Sequence, residues 1–154
     1  MGKIFPRGAT RKILSRLASR RLAVDRAAIE MATVMLVDDY GSQREIYELA
    51  LSMTGFVVHQ AASGEQAIEL AHRLRPDVMV LDLAMPKLDG WEVCRRLKAD
   101  PATRGIPIIV VTAHIAPGIR ESAERAGCDA YLTKPCLPDK LIAAVRDNLR
   151  REVA

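Results

Sequence analysis

From residue 33 onward the chain is punctuated by short, almost unbroken apolar runs. Val34-Met35-Leu36-Val37, Val78-Met79-Val80-Leu81 and Ile108-Ile109-Val110-Val111 show no polar alternation. Strands buried on both faces of a parallel sheet read this way, because neither face is left for water. Between the runs, apolar residues recur at helical spacing, and strand and helix alternate five times. That order predicts a parallel sheet covered by helices on both sides, an α/β fold built as (βα)5.

Local signals set the helix boundaries. The first helix is expected over about Ser42 to Thr54, with Ile46, Leu49, Ala50 and Met53 at helical spacing and Gly55 as its stop. A short strand follows near 56–60. Ser63-x-x-Gln66 resembles a capping box opening a second helix that runs to about Leu74, before Pro76. Asp89, with Glu92 three residues on, reads as the N-cap of a third helix that ends before Asp100-Pro101. Pro117 is expected to start the fourth helix, since its fixed φ suits the first helical position, and Gly127 to end it. A strand at about 130–132 precedes Lys134-Pro135. Pro138 opens a last helix with Leu141, Ile142, Val145 and Leu149 turned inward.

The ends of the apolar runs carry the chemistry. Asp38 and Asp39 close the first, Asp82 the second and Thr112 the third, and Lys134 lies just past a fourth. In open α/β sheets ligands bind at the carboxyl ends of the strands, so these residues are expected to converge. Mg2+ takes oxygen ligands, keeps several waters and suits one or two carboxylates plus a phosphoryl oxygen. Asp39 and Asp82 are the expected direct ligands, Asp38 binds directly or through water, and the backbone carbonyl of Ala84 supplies another oxygen. Clustered carboxylates raise one another's pKa, and a divalent cation resolves that conflict. Phosphoryl transfer needs chiefly positioning and charge neutralisation, for which the metal, Lys134 and the Thr112 hydroxyl suffice.

Taken singly, each residue has a plainer reading. Asp after a strand is commonly a turn or cap residue. Thr112 alone is a strand-end hydroxyl, Lys134 a solvated charge and Tyr131 a packed edge-strand aromatic. Their joint placement is what changes the picture.

Residues 33–150 resemble the receiver domain of the two-component response-regulator family, of the single-domain chemotaxis or cell-cycle-regulator type. The resemblance rests on Val37-Asp38-Asp39, on Leu81-Asp82-Leu83-Ala84-Met85-Pro86 with Asp89-Gly90, on Val111-Thr112-Ala113, and on Gly127-Cys128-Asp129-Ala130-Tyr131-Leu132-Thr133-Lys134-Pro135. It implies a flavodoxin-like doubly wound sheet of strand order 2-1-3-4-5. It also implies that Asp82 accepts a phosphoryl group from a phosphohistidine on a sensor histidine kinase or histidine phosphotransfer protein. By the same resemblance Asp38 and Asp39 hold Mg2+, Thr112 and Lys134 contact the acyl phosphate, and Thr112 with Tyr131 forms a switch. Ala84 and His114 occupy the two positions held to tune phosphoryl lifetime, and the Lys134–Pro135 peptide is expected to be cis. Such a protein is a signalling phosphoacceptor that assists its own phosphorylation and dephosphorylation, not an enzyme. It acts on a downstream protein target, as a monomer or a phosphorylation-dependent dimer, without a DNA-binding or enzymatic output domain.

Charge divides the chain. Of a net +4, residues 1–32 carry +6, from eight Lys or Arg against Asp25 and Glu30, leaving −2 on the other 122 residues. We therefore expect a basic N-terminal extension over residues 1–31, helical or disordered, and a receiver domain over 32–151. The extension contributes little to phosphotransfer. It is a localisation arm or lies upstream of a start at Met31, where a compact domain would begin. Arg11, Lys12, Arg16, Arg20, Arg21 and Arg26, with Ile13, Leu14, Leu17 and Val24 at one side of a helix, suggest an alternative nucleic-acid or membrane module. Without interleaved aromatics, nonspecific attraction is all that follows, and no specific nucleic acid is expected.

Another alternative is an aspartyl-phosphate hydrolase of the haloacid dehalogenase type. It fits poorly, because that class places Asp-x-Asp on the first strand. Cys94, Cys128 and Cys136 form no C-x-x-C pair and read as free thiols, with Cys128 a small buried hydrophobe. With no run of about 20 apolar residues and no convincing signal peptide, a cytoplasmic location is expected. His59 and His72 lack ligand spacing and read as surface or partly buried residues.

Overall fold

A computed structural model describes residues 31–153. The basic residues of the N-terminal extension and their apolar partners lie outside the described residues. Strands β1 (Thr33–Val37), β2 (Val57–Ala61), β3 (Val78–Leu81), β4 (Ile108–Thr112) and β5 (Ala130–Thr133) form one sheet in the order β2-β1-β3-β4-β5. All four pairings are parallel, with Val37 level with both Ala61 and Leu81, and Leu81 level with Val110. The expected architecture and strand order are those observed.

Alternate residues divide the sheet's two faces, as strand geometry requires. Met35, Val37, Met79, Leu81, Ile108 and Val110 pack against α2 (Gly64–Leu74), α3 (Gly90–Ala99) and α4 (Ile119–Arg125). Val34, Leu36, Val78, Val80, Ile109 and Val111 pack against α1 (Gly41–Met53) and α5 (Pro138–Val153). On α5 the expected inner residues Leu141, Ile142, Val145 and Leu149 are all buried. Each is worth about 1.5–3 kcal/mol. α4 buries only Ala123 and is held by far less apolar contact.

Two expectations needed correction. On α1 the stripe of Ile46, Leu49 and Met53 faces outward, at 55%, 64% and 79% exposure, while Tyr47 and Leu51 are the buried pair. Its apolar residues do not fall on one side only, so spacing alone does not choose its inner face. Tyr47 does, because its hydroxyl reaches the Cys136 carbonyl at 3.0 Å and satisfies its one polar atom inside the core. The second correction is at α4, which begins at Ile119 and not at Pro117. Gly118 stands before it in the left-handed region, at φ 77°, a turn that places Pro117 outside the helix.

Other boundaries fall within a residue or two of expectation. The Ser63 hydroxyl accepts from the Gln66 N–H at 3.2 Å, and the Gln66 side chain accepts from Ala62 N–H at 2.8 Å. The reciprocal half of the capping box thus reaches one residue further back than its usual target. Asp89 caps α3 by accepting from Glu92 N–H at 2.9 Å.

Gly90, the first residue of α3, lies directly on the chain leaving β3. A Cβ there would collide with the Asp82 carbonyl oxygen and approach Leu83 Cα to 2.7 Å. Both obstacles are backbone, so neither can swing aside. Gly90→Ala is expected to lower the unfolding free energy by about 1–3 kcal/mol. Gly105→Ala, where nothing lies within 4 Å of the added carbon, is expected to change it by less than about 0.5 kcal/mol. Equal midpoints for the two variants in a denaturant titration would overturn this steric account.

His72 near the end of α2 meets Asp100, the C-cap of α3, with Nε2 to Oδ2 at 2.7 Å. The Asp100 hydrogen bond, helped by the Ile68 carbonyl, raises the imidazole pKa above its ordinary 6.5. The His72 and Ala102 hydrogen bonds lower the Asp100 carboxyl below 3.8. The histidine's contribution is complete below 6.5 and is lost as pH rises through its raised folded value. The carboxylate's is complete above 3.8 and is lost as pH falls through its depressed one. An NMR titration of His72 is expected to give a midpoint above 6.5 that returns toward it in Asp100→Asn. An unchanged midpoint in that variant would mean that the pair does not form in solution.

Candidate functional site: an acidic cleft at the strand ends

The level ends of β1 and β3 bring three carboxylates together. One oxygen each from Asp38, Asp39 and Asp82 can be chosen so that all lie within 4.8 Å of one another. Asp38 and Asp82 are buried and Asp39 is exposed. The backbone locks the first two in place: Asp38 N–H donates to the Ala61 carbonyl at 3.2 Å, and Asp82 N–H to the Val37 carbonyl at 2.9 Å. Each side chain then takes a local N–H. Asp38 Oδ1 accepts from Tyr40 at 2.8 Å and Asp82 Oδ1 from Ala84 at 3.1 Å.

The remaining oxygens converge on one cation. Lys134 Nζ lies 2.7 Å from Asp38 Oδ2 and 3.1 Å from Asp82 Oδ2. Burial alone would depress the ammonium. The hydrogen bond to Asp38 and the charges of Asp82 and Asp38 outweigh it and hold the lysine above its usual range. Lys134 is aimed by its own backbone, whose N–H donates to the Thr112 carbonyl at 2.9 Å, and its peptide bond to Pro135 is cis.

One ammonium does not neutralise three carboxylates. The donor set is all oxygen, open on the Asp39 side and short of positive charge, which fits a hard divalent cation. Chemically, the arrangement can hold a cation between the three acids and can present an Asp82 oxygen beside the Lys134 ammonium.

Thr112 ends β4 fully buried, and its hydroxyl accepts from His114 N–H at 3.2 Å. Tyr131 does not reach the carboxylates. Its ring packs partly buried against the core, and its hydroxyl donates to the His114 carbonyl at 3.1 Å. Ala84 and His114 are both exposed and line one pocket of about 410 Å³ with Leu83, Met85, Asp89 and Trp91.

Sequence reasoning missed two residues that shape the cleft. Arg44 on α1 donates through Nη1 to the Asp38 carbonyl and through Nε to Gln60 at 3.0 Å, holding the turn after β1. Nothing distinguishes it in sequence from a solvated helix arginine. Gly90 was visible as part of Asp89-Gly90, but its closeness to Asp82 was not.

Among the described residues no helix is long and apolar enough to cross a membrane. The family model for the response regulator receiver domain matches residues 34–146. Response regulator MprA of Mycobacterium leprae is 42% identical over 118 residues, covering 77% of this chain and 51% of that protein. The DNA-binding dual master transcriptional regulator RpaA of Synechocystis is 37% identical over 121 residues, covering 79% and 50%. The chain thus spans about half the length of the curated relatives it matches. Among solved structures, the receiver domain of sensor histidine kinase PA1611 from Pseudomonas aeruginosa, with a magnesium ion coordinated in its active-site cleft, is 32% identical. It aligns with a TM-score of 0.72, over 78% of this chain and 98% of that one. Fold, strand-end acids and matched length agree: the chain belongs to the response regulator receiver domain family and carries the receiver domain of a two-component response regulator.

Proposed function

We propose that this receiver takes a phosphoryl group from a phosphohistidine on a sensor kinase or histidine phosphotransfer protein onto Asp82, and signals by a changed protein-binding surface. The observation that carries the proposal is Lys134, bridging Asp38 and Asp82 in a cleft that retains excess negative charge. Asp38, Asp39, Asp82 and the Ala84 carbonyl are the groups that would hold Mg2+. When bound, the ion offsets charge on the transferring phosphoryl oxygens.

The chain's own residues do the rest. An Asp82 carboxylate oxygen attacks phosphorus, the phosphorus–nitrogen bond breaks, and the imidazole leaves with that electron pair. Ala84 N–H and the Asp82 backbone bonds fix the nucleophile, so little reorganisation is needed during transfer. Lys134 Nζ, already on Asp82 Oδ2, neutralises the product's added charge. The Thr112 hydroxyl, which accepts from His114, keeps its own hydrogen to donate to a phosphoryl oxygen.

That same bond gives the signal a route. His114 bonds Thr112 through its N–H and Tyr131 through its carbonyl. Drawing Thr112 toward the phosphate displaces residue 114 and frees Tyr131 to turn inward. Ala84 offers no polar side chain to the pocket where an attacking water would enter, whereas His114 does. The DNA binding named for RpaA belongs to a protein of which only half is matched here, and nothing in the cleft calls for nucleic acid.

Incubation with a small phosphodonor is expected to add one phosphoryl mass, confined to Asp82 and abolished by chelator. Asp82→Asn is expected to remain unmodified, and Lys134→Ala to be modified far more slowly. Full modification of Asp82→Asn, or transfer indifferent to chelator, would overturn the assignment.

A further inference from the structure

Away from the cleft, two thiols that are distant in sequence meet in the core. Cys94 lies on α3 and Cys128 between α4 and β5, and their Sγ atoms are 3.2 Å apart. Both are buried. Cys94 Sγ also donates to the Ala126 carbonyl at 3.3 Å, so in the pair Cys128 is the donor and Cys94 the acceptor. A disulfide has a sulfur–sulfur length of about 2.05 Å, so the sulfurs need to close by only a little over 1 Å.

The surroundings make the two cysteines unequal. The hydrogen bond from Cys128 lowers the Cys94 thiol pKa, burial opposes this, and the Lys98 ammonium adds to the lowering. The bond to Cys94 and burial push the Cys128 thiol strongly upward. Cys94 is thus the more acidic of the two thiols. Access is on the Cys128 side, where a pocket of about 60 Å³ is bounded by Arg120, Ala123, Glu124, Asp129 and Tyr131. That pocket touches Cys128 and not Cys94, so a hydroperoxide reaches the Cys94 sulfur past its partner, 3.2 Å away. Cys136 lies in the other core, with its Sγ on the Leu137 carbonyl, and serves as an internal control.

We propose that Cys94 and Cys128 form a redox-modification site, a dithiol that a hydroperoxide converts to an intramolecular disulfide. The Cys94 thiolate attacks one peroxide oxygen, the oxygen–oxygen bond breaks, and the departing oxygen leaves as water after taking up a proton. The Cys128 sulfur, giving up its proton, then attacks the Cys94 sulfenic acid. The sulfur–oxygen bond breaks and a second water leaves. Two thiols are oxidised by two electrons in all, and one hydrogen peroxide is reduced to two waters. The bond ties the segment after α4 to α3. Because α4 is held by little more than Ala123, this tie restrains the element with the least anchoring of its own.

The test uses the full chain, folded, treated with hydrogen peroxide and then with a thiol-alkylating reagent before peptide mapping. The expected product has lost the mass of two hydrogens, links the Cys94 and Cys128 peptides, reverts with dithiothreitol and leaves Cys136 alkylated. Cys136→Ser is expected to give the same link. Cys128→Ser is expected to leave Cys94 as a sulfenic acid that dimedone captures. Alkylation of both cysteines after oxidation, their separate conversion to sulfinic acids, or a link that forms only in denaturant would each overturn the proposal.

Discussion

The structure turns on an imbalance of charge at the carboxyl edge of the sheet. Two buried carboxylates and one exposed one face a single ammonium. In water such groups would be solvated individually, but here strand pairing removes that solvent. Asp38 and Asp82 cannot back away, because their N–H groups are committed to Ala61 and Val37. The cleft is therefore held together by backbone and apart by charge. A buried charge is tolerated only where an opposite charge meets it, and Lys134 meets both buried acids.

Apart from the Arg44 guanidinium on the Asp38 carbonyl, what aims these groups is apolar or backbone. The level register of Val37 with Leu81 sets Asp38 beside Asp82, and a slip of one residue would turn one of them into a helix layer. The two cores on either side make such a slip costly, since every strand residue from Val78 to Leu81 is buried. Gly90 then brings α3 onto the Asp82 carbonyl, which fixes the path of the loop that carries Ala84. Parallel order, register and one missing Cβ are together sufficient to position Asp82 to within hydrogen-bonding tolerance of Lys134, 52 residues away.

The sequence was most legible where physics leaves few choices. Unbroken apolar runs admit little besides doubly covered strands, so Val34–Val37, Val78–Leu81 and Ile108–Val111 were placed correctly, and the acids and Thr112 came with them. Caps were legible for a similar reason: Ser63 and Asp89 each answer the unpaired N–H groups of a helix start. The inner face of α1 was not, because Ile46, Leu49 and Met53 are as apolar as Leu51, and the choice depends on a hydrogen bond from Tyr47 to a residue 89 positions on. His72 with Asp100 and Cys94 with Cys128 belong to the same class. Their pairing is a product of helix packing, and no local pattern encodes it.

The α4–β5 side illustrates how a small module can be rigid at its site and yielding at its surface. Asp38, Asp82 and Lys134 are each tied by a backbone bond to a neighbouring strand, whereas α4 has seven residues, one buried side chain and a glycine in the left-handed region at its start. Between the two stands His114, whose N–H and carbonyl are engaged by Thr112 and Tyr131 in turn. These two groups sit on adjoining peptide planes that share the His114 Cα, so a movement of one pulls on the other through the φ and ψ of a single residue. In the proposed reading, a displacement of Thr112 at the rigid end is therefore delivered to Tyr131 at the yielding end. The thiol pair lies under that same end, and closing it would stiffen the surface without touching a single group in the cleft.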